Sequence, residues 1–194
     1  MIEIRIHGRG GQGAVIASKI LASALFKEDK FVQSFPTFGV ERRGAPVAAF
    51  IRIDEEQILV RSQIYKPDDV IVLDPTLIDA VDVTQGLKSG GWILINTTRA
   101  PKEFDKLSEF RVATVDASGI AAKHGLGSKA HPIVNTAILG AFARITGYVK
   151  LESILEAITE EVPFARKANV EASKEAFRSV KTESDVVLKS ESES

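Results

Sequence analysis

The run Gly8-Arg9-Gly10-Gly11-Gln12-Gly13, set between two apolar segments, constrains the fold of this chain more than any other stretch. Ahead of it, Ile2, Ile4 and Ile6 alternate with Glu3, Arg5 and His7, the period-two pattern of a strand. Behind it, Ala14 through Ala22 reads as a helix with an almost wholly buried surface. Glycines at such a junction permit a tight turn and close approach of a ligand to the backbone. The turn also aims the unpaired N–H groups of the helix start at whatever lies above it, which suits a phosphate or another anion. The competing structural reading is that the glycines only let the first helix pack tightly on the sheet.

Gly8, Gly10 and Gly13 also fit the spacing G-x-G-x-x-G of dinucleotide sites, and the strand–loop–helix setting strengthens the match. An ordinary nicotinamide site needs an acidic residue at the end of the second strand, about twenty residues on. That stretch is Phe31-Val32-Gln33-Ser34-Phe35, without a carboxylate. The sequence therefore disfavours an NAD site.

The chain has 194 residues, 44% of them hydrophobic, which is enough for one domain with its own core. A net charge of −1 gives no electrostatic case for nucleic acid. No apolar stretch has the length of a membrane span and no charged leader precedes the first strand, so the expectation is a cytoplasmic protein. Cysteine is absent, which excludes a thiol nucleophile, a disulfide framework and thiolate ligation of an iron–sulfur cluster by this chain. His7, His124 and His131 are scattered and lack metal-ligand spacing. No catalytic acid–base constellation and no metal site is read from the sequence.

Strands and helices alternate along the chain, which predicts an α/β fold: a Rossmann-like, mostly parallel sheet with an antiparallel hairpin and a helical C-terminal part. Phe31–Phe35 reads as a strand. Val47–Ile53 reads as another, turning through Asp54–Gln57 into a hairpin strand over Ile58–Val60. Val70–Leu73, Trp92–Ile95 and Arg111–Val115 read as further strands, the first two central in the sheet. Thr76–Val81 reads as a short helix, and Asp116 as the N-cap of a helix over 117–123. Pro132 is expected in the first turn of a helix over Ile133–Ile145, with Asn135 and Thr136 beside it as capping residues or ligand contacts. Helices follow from Leu151 and over Ala165–Val180. The domain is expected to span residues 1–180, with 181–194 a polar, disordered tail.

The loop Thr37–Pro46 is long for a compact domain and carries the adjacent pair Arg42-Arg43. Two guanidiniums there can fork onto phosphate or carboxylate groups, or dock on a partner surface.

Three segments occur in order: Gly8–Gly13, then Phe38-Gly39-Val40-Glu41-Arg42-Arg43-Gly44-Ala45-Pro46-Val47, then Pro132-Ile133-Val134-Asn135-Thr136. Together they resemble the gamma subunit of 2-oxoacid:ferredoxin oxidoreductases, most of all the pyruvate enzyme (pyruvate synthase), over roughly Ile2 to Arg178. The resemblance implies one subunit of an assembly with alpha, beta and delta type chains. It implies oxidative decarboxylation of pyruvate or another 2-oxoacid, with electrons passed to ferredoxin and the acyl group to coenzyme A. Thiamine diphosphate and iron–sulfur clusters are then expected on partner subunits, with no cofactor tightly bound to this chain. This chain is associated with coenzyme A binding and subunit assembly, and a gamma unit can serve more than one such enzyme. On that reading Gly10, Gly11, Gln12 and Gly13 cradle the pyrophosphate with backbone N–H groups, and Gly8 belongs to the same cofactor-binding loop. Arg9, Arg42 or Arg43 meets another phosphate or faces the partner chains. Two alternatives remain open: a scaffold subunit whose glycine loop holds nothing, and an independent nucleotide-binding Rossmann-like protein.

Overall fold

The computed structural model describes residues 1–37, 44–128 and 130–183. Its central sheet has seven strands: β1 (Ile2–Arg9), β2 (Phe31–Pro36), β3 (Pro46–Asp54), β4 (Asp69–Val72), β5 (Trp92–Asn96), β6 (Arg111–Val115) and β9 (Lys181–Thr182). They are arranged in the order β2-β3-β1-β4-β5-β6-β9. A two-stranded hairpin, β7 (Gly127–Ser128) with β8 (His131–Pro132), lies apart from it. The helices are α1 (Ala14–Phe26), α2 (Leu77–Ala80), α3 (Ala117–Lys123), α4 (Ala137–Thr146), α5 (Leu151–Glu161) and α6 (Arg166–Ser179).

Strands β1, β4, β5 and β6 run parallel, so their C-terminal ends meet along one edge of the sheet. The alternation read in the first strand is realised directly. Ile4 and Ile6 are fully buried against α1, which presents Ala17, Ile20, Leu21 and Ala24 to them. The same core continues through Ile51 of β3 and into Ile138 and Phe142 of α4, Ile154 of α5 and Ala172 of α6. On the opposite face a smaller core gathers Val70, Val72, Ile93 and Ile95 under Leu77, Leu87, Phe104 and Leu107. Strands β4 and β5 thus have apolar cover on both sides, as their unbroken Val/Ile/Leu runs require.

The antiparallel element differs from the expected hairpin. β3 pairs with β1 on one side (Ile4 opposite Ile51) and with β2 on the other (Ser34 opposite Ile51). Both edges of β3 are therefore occupied, and no strand forms over Ile58–Val60. That segment is held by side chains instead. Gln33 Nε2 donates to the carbonyl of Ile58 (3.1 Å), and Arg52 Nη2 donates to the carbonyl of Ser62 (2.6 Å).

The helix expected from Pro132 begins later. Pro132 lies in β8, opposite Gly127, and the N–H of Ile133 donates to the carbonyl of Leu126 (3.1 Å), so α4 starts only at Ala137. The Asp116 cap is present, its carboxylate accepting from the N–H of Gly119 at 2.8 Å. Lys181 and Thr182, read as the start of the tail, pair with Thr114 and Ala113 as an edge strand. The rest of the tail from residue 184, and Arg42-Arg43 with their neighbours Phe38–Glu41, lie outside the described residues.

Candidate functional site

The glycine run turns the chain from the C-terminal end of β1 into α1. Gly13 is the N-cap residue of α1 and has φ +84°, a left-handed conformation open to glycine at little cost. A side chain there would also collide with Asn135, since a Cβ would stand 2.6 Å from Asn135 Nδ2. The loop is therefore both a tight turn and a packing surface.

Its donors divide into two groups. The N–H of Gly10 donates to the carbonyl of Ala45 (2.9 Å), and that of Gln12 to the carbonyl of Arg9 (2.9 Å). Both are spent on shaping the loop. The N–H groups of Gly11 and Gly13 have no hydrogen-bond partner among the described residues. Gly13 caps α1 and Gly11 lies two residues ahead of it, at the helix end where the aligned peptide dipoles favour negative charge.

Asp74, just past β4, ties this loop to the next one. Its Oδ2 accepts from Gln12 Nε2 (2.9 Å) and Arg9 Nε (3.1 Å), and its Oδ1 accepts from the N–H (3.0 Å) and hydroxyl (2.6 Å) of Thr76. Burial alone would raise the pKa of this carboxyl. The hydrogen bonds from Thr76 and Gln12 and the charge of Arg9 outweigh it and hold the group below the usual aspartate range. Arg9 also donates to Thr76 Oγ1 (2.7 Å) and to the carbonyl of Gly44 (3.1 Å). The guanidinium expected to meet a phosphate is thus committed to bracing the loop.

Above this network opens a cleft of about 540 Å³, bounded by Arg9–Gln12, Asp74, Asn96, Ser118 and the β8 segment from His131. Asn96 at the end of β5 donates to the carbonyl of Leu73 (2.8 Å) and to Ser118 Oγ (2.9 Å), and its own oxygen accepts from the N–H of Ser118 (3.1 Å). The cleft therefore lies along the C-terminal edge of the parallel strands, where open α/β sheets bind ligands. Gly10, Gly11 and Gln12 line it, whereas Gly8 is buried, a Cβ there falling 3.2 Å from the Leu73 side chain.

Sequence reasoning missed Asp74, Asn96 and Ser118. The signal was available for the first two: each is a polar residue closing an apolar strand on the edge that carries the glycine loop. His131, one of the three scattered histidines, borders the cleft. Among the described residues no group of three metal-ligating side chains comes together, and no helix is long and apolar enough to cross a membrane.

The family model described as pyruvate ferredoxin/flavodoxin oxidoreductase matches residues 3–181. The common subunit gamma of the pyruvate/ketoisovalerate oxidoreductases of Thermococcus kodakarensis is 59% identical over 181 residues, covering 91% of this chain and 96% of that one. The crystal structure of pyruvate oxidoreductase subunit PORC from Thermotoga maritima superposes with a TM-score of 0.79 at 36% identity, over 94% of this chain and 98% of that one. A 2-oxoglutarate:ferredoxin oxidoreductase from Magnetococcus marinus, solved with 2-oxoglutarate, coenzyme A and succinyl-CoA bound, shares the fold alone. Its TM-score is 0.70 at 18% identity, over 91% of this chain and 31% of that longer one.

Proposed function

This chain belongs to the pyruvate ferredoxin/flavodoxin oxidoreductase family as the gamma subunit of a multi-subunit 2-oxoacid:ferredoxin oxidoreductase of the pyruvate synthase class, and from that premise we propose that its glycine loop holds the pyrophosphate of coenzyme A. The observation that carries this reading is the pair of unengaged N–H groups, Gly11 and Gly13, at the start of α1 beside the cleft. The Asp74–Gln12–Arg9 network fixes the loop before any ligand arrives, so little ordering cost remains to be met on binding. Such a chain contributes binding and positioning. Thiamine diphosphate would supply the bond-breaking chemistry, and iron–sulfur clusters would carry the electrons towards ferredoxin. This reading assigns both cofactors to alpha, beta and delta type partner subunits; for the clusters it is supported by the absence of cysteine, which leaves this chain no thiolate to ligate one.

The test is Gly11→Ala in the assembled enzyme. Gly11 has φ +96°, so a methyl group strains the turn and crowds its free N–H. The expected result is a raised KM for coenzyme A, with an unchanged KM for the 2-oxoacid and intact assembly. Unchanged coenzyme A kinetics in a correctly assembled variant would leave the scaffold reading standing.

A further inference from the structure

Strand β2 forms one edge of the central sheet, and no strand pairs with its outer side among the described residues. Its inner side is set by β3. The N–H of Thr37 donates to the carbonyl of Ala48 (2.8 Å), and Phe35 and Gln33 continue that register opposite Phe50 and Arg52. Antiparallel alternation then turns the main-chain N–H and C=O groups of Val32 and Ser34 outwards. A cleft of about 620 Å³ runs along this side, lined by residues 32–37 and closed by Phe50, Arg52, Arg61 and Gln63. Its aromatic wall is the Phe35–Phe50 pair, with 5.4 Å between ring centres. An unpaired edge beside such a wall is a template for one more strand.

The cleft also carries an uncompensated charge. Arg52 is committed to Glu3 and to the carbonyl of Ser62, but the exposed Arg61 on the opposite wall has no partner among the described residues. Two exposed apolar residues, Leu59 and Val60, precede it. The strand that fits here carries a carboxylate next to short apolar side chains. This chain holds such a segment in Asp185-Val186-Val187-Leu188, which follows β9. Residues 183–194 carry four acidic residues and one lysine, so the whole tail suits a cationic wall. The family match ends at residue 181, so the tail lies beyond what the family model describes.

We propose that the β2 edge is completed by the tail of a second copy of this chain, with Val186-Val187-Leu188 added as a strand and Asp185 set against Arg61. The tail cannot reach the edge in its own chain. β9 and β2 stand at opposite ends of the seven-stranded sheet. That separation is roughly 29 Å at ~4.8 Å per strand spacing, whereas the stretch from Thr182 to Leu188 spans at most about 21 Å when fully extended. The periodicity also fits. Val32 and Ser34, two residues apart, meet Val186 and Leu188, while Asp185 and Val187 fall on the face that carries Gln33, Phe50 and Arg52. The proposal goes beyond the coenzyme A reading and does not depend on the glycine loop.

The experiment compares hydrogen exchange at Val32 and Ser34 in the full chain and in a chain lacking residues 184–194, each also within the assembled oxidoreductase. The full chain is expected to exchange at these two amides about tenfold more slowly, with equal rates at the buried Ile4 and Ile6 as the control. Arg61→Glu is expected to lose that protection, and Arg61→Glu combined with Asp185→Arg to regain it. The chain has no cysteine, so the donor can be read directly. An oxidised mixture of Gln63→Cys and Asp185→Cys chains is expected to give the mixed disulfide in excess over like pairs. Equal exchange with and without the tail overturns the proposal. Protection that survives tail removal in the assembled enzyme also overturns it, and assigns the edge to a partner subunit. A chain carrying both cysteines that closes its disulfide only within itself overturns donation by a second copy.

Discussion

Asp74 Oδ2 accepts from Gln12 Nε2 at 2.9 Å, joining the loop after β4 to the glycine loop after β1. The same oxygen accepts from Arg9 at 3.1 Å, while Gln12 Oε1 in turn accepts from the N–H of Arg9 at 2.8 Å. A glutamine and an aspartate distant in sequence thus set the shape of the turn. The glycines alone only permit it.

Asp74→Asn removes the charge from this network while keeping the shape. The Asp74 carboxyl is held below its ordinary range, so its contribution to stability is present above the ordinary aspartate range and is lost as the pH falls through its lower folded-state value. The variant is expected to lose about 1–2 kcal/mol at pH 7, the worth of charge-assisted hydrogen bonds. Chemical denaturation should show that deficit shrinking as the pH drops below the aspartate range. A deficit that stays constant with pH would mean that the charge of Asp74 is not what holds the loop.

His7 gives a second pH signature with a different window. Burial, helped by the charge of Arg5 and opposed by Asp82, pushes its pKa down to about 4. The unfolded chain protonates this imidazole near its ordinary value of about 6.5, so between the two values the unfolded state takes up a proton that the folded state refuses. Stability should therefore fall as the pH drops from about 6.5 towards 4. His7→Gln is expected to flatten that part of the profile. An unaltered slope in the variant would assign the acid sensitivity to other groups.

Arg52 is a structural device on the sheet face opposite α1. Its side chain is 1% exposed, and it pairs with Glu3 at 2.8 Å while donating to the carbonyl of Ser62. Arg52→Met leaves both partners without their donor, at an expected cost of about 2–4 kcal/mol. Hydrogen exchange should localise the loosening to residues 58–64 before the sheet itself is affected. Uniform destabilisation of the whole domain would contradict the pinning role.

The strands and the loop were legible because local pattern and tertiary need agree there. Ile4 and Ile6 alternate, and they are buried; Val70–Val72 is unbroken, and it has cover on both faces. The failures arise where a distant partner decides. Ile58–Val60 has the composition of a strand, but β3 already has β1 and β2 on its two edges. Pro132 suits the first turn of a helix, but the pairing of Gly127 with Pro132 draws it into a hairpin. The site was half legible for the same reason. Gly8–Gly13 is contiguous and visible, whereas Asp74, Asn96 and Ser118 come together only because β1, β4 and β5 are parallel neighbours.

The most direct measurement is hydrogen exchange on this chain within the assembled oxidoreductase, with and without coenzyme A. Coenzyme A is expected to slow exchange at residues 11–16, around the free N–H groups of Gly11 and Gly13, and at 131–136 beside them, while β9 stays unchanged. Protection confined to partner subunits, with this chain indifferent to coenzyme A, would contradict it and leave the glycine loop a packing device of a scaffold subunit.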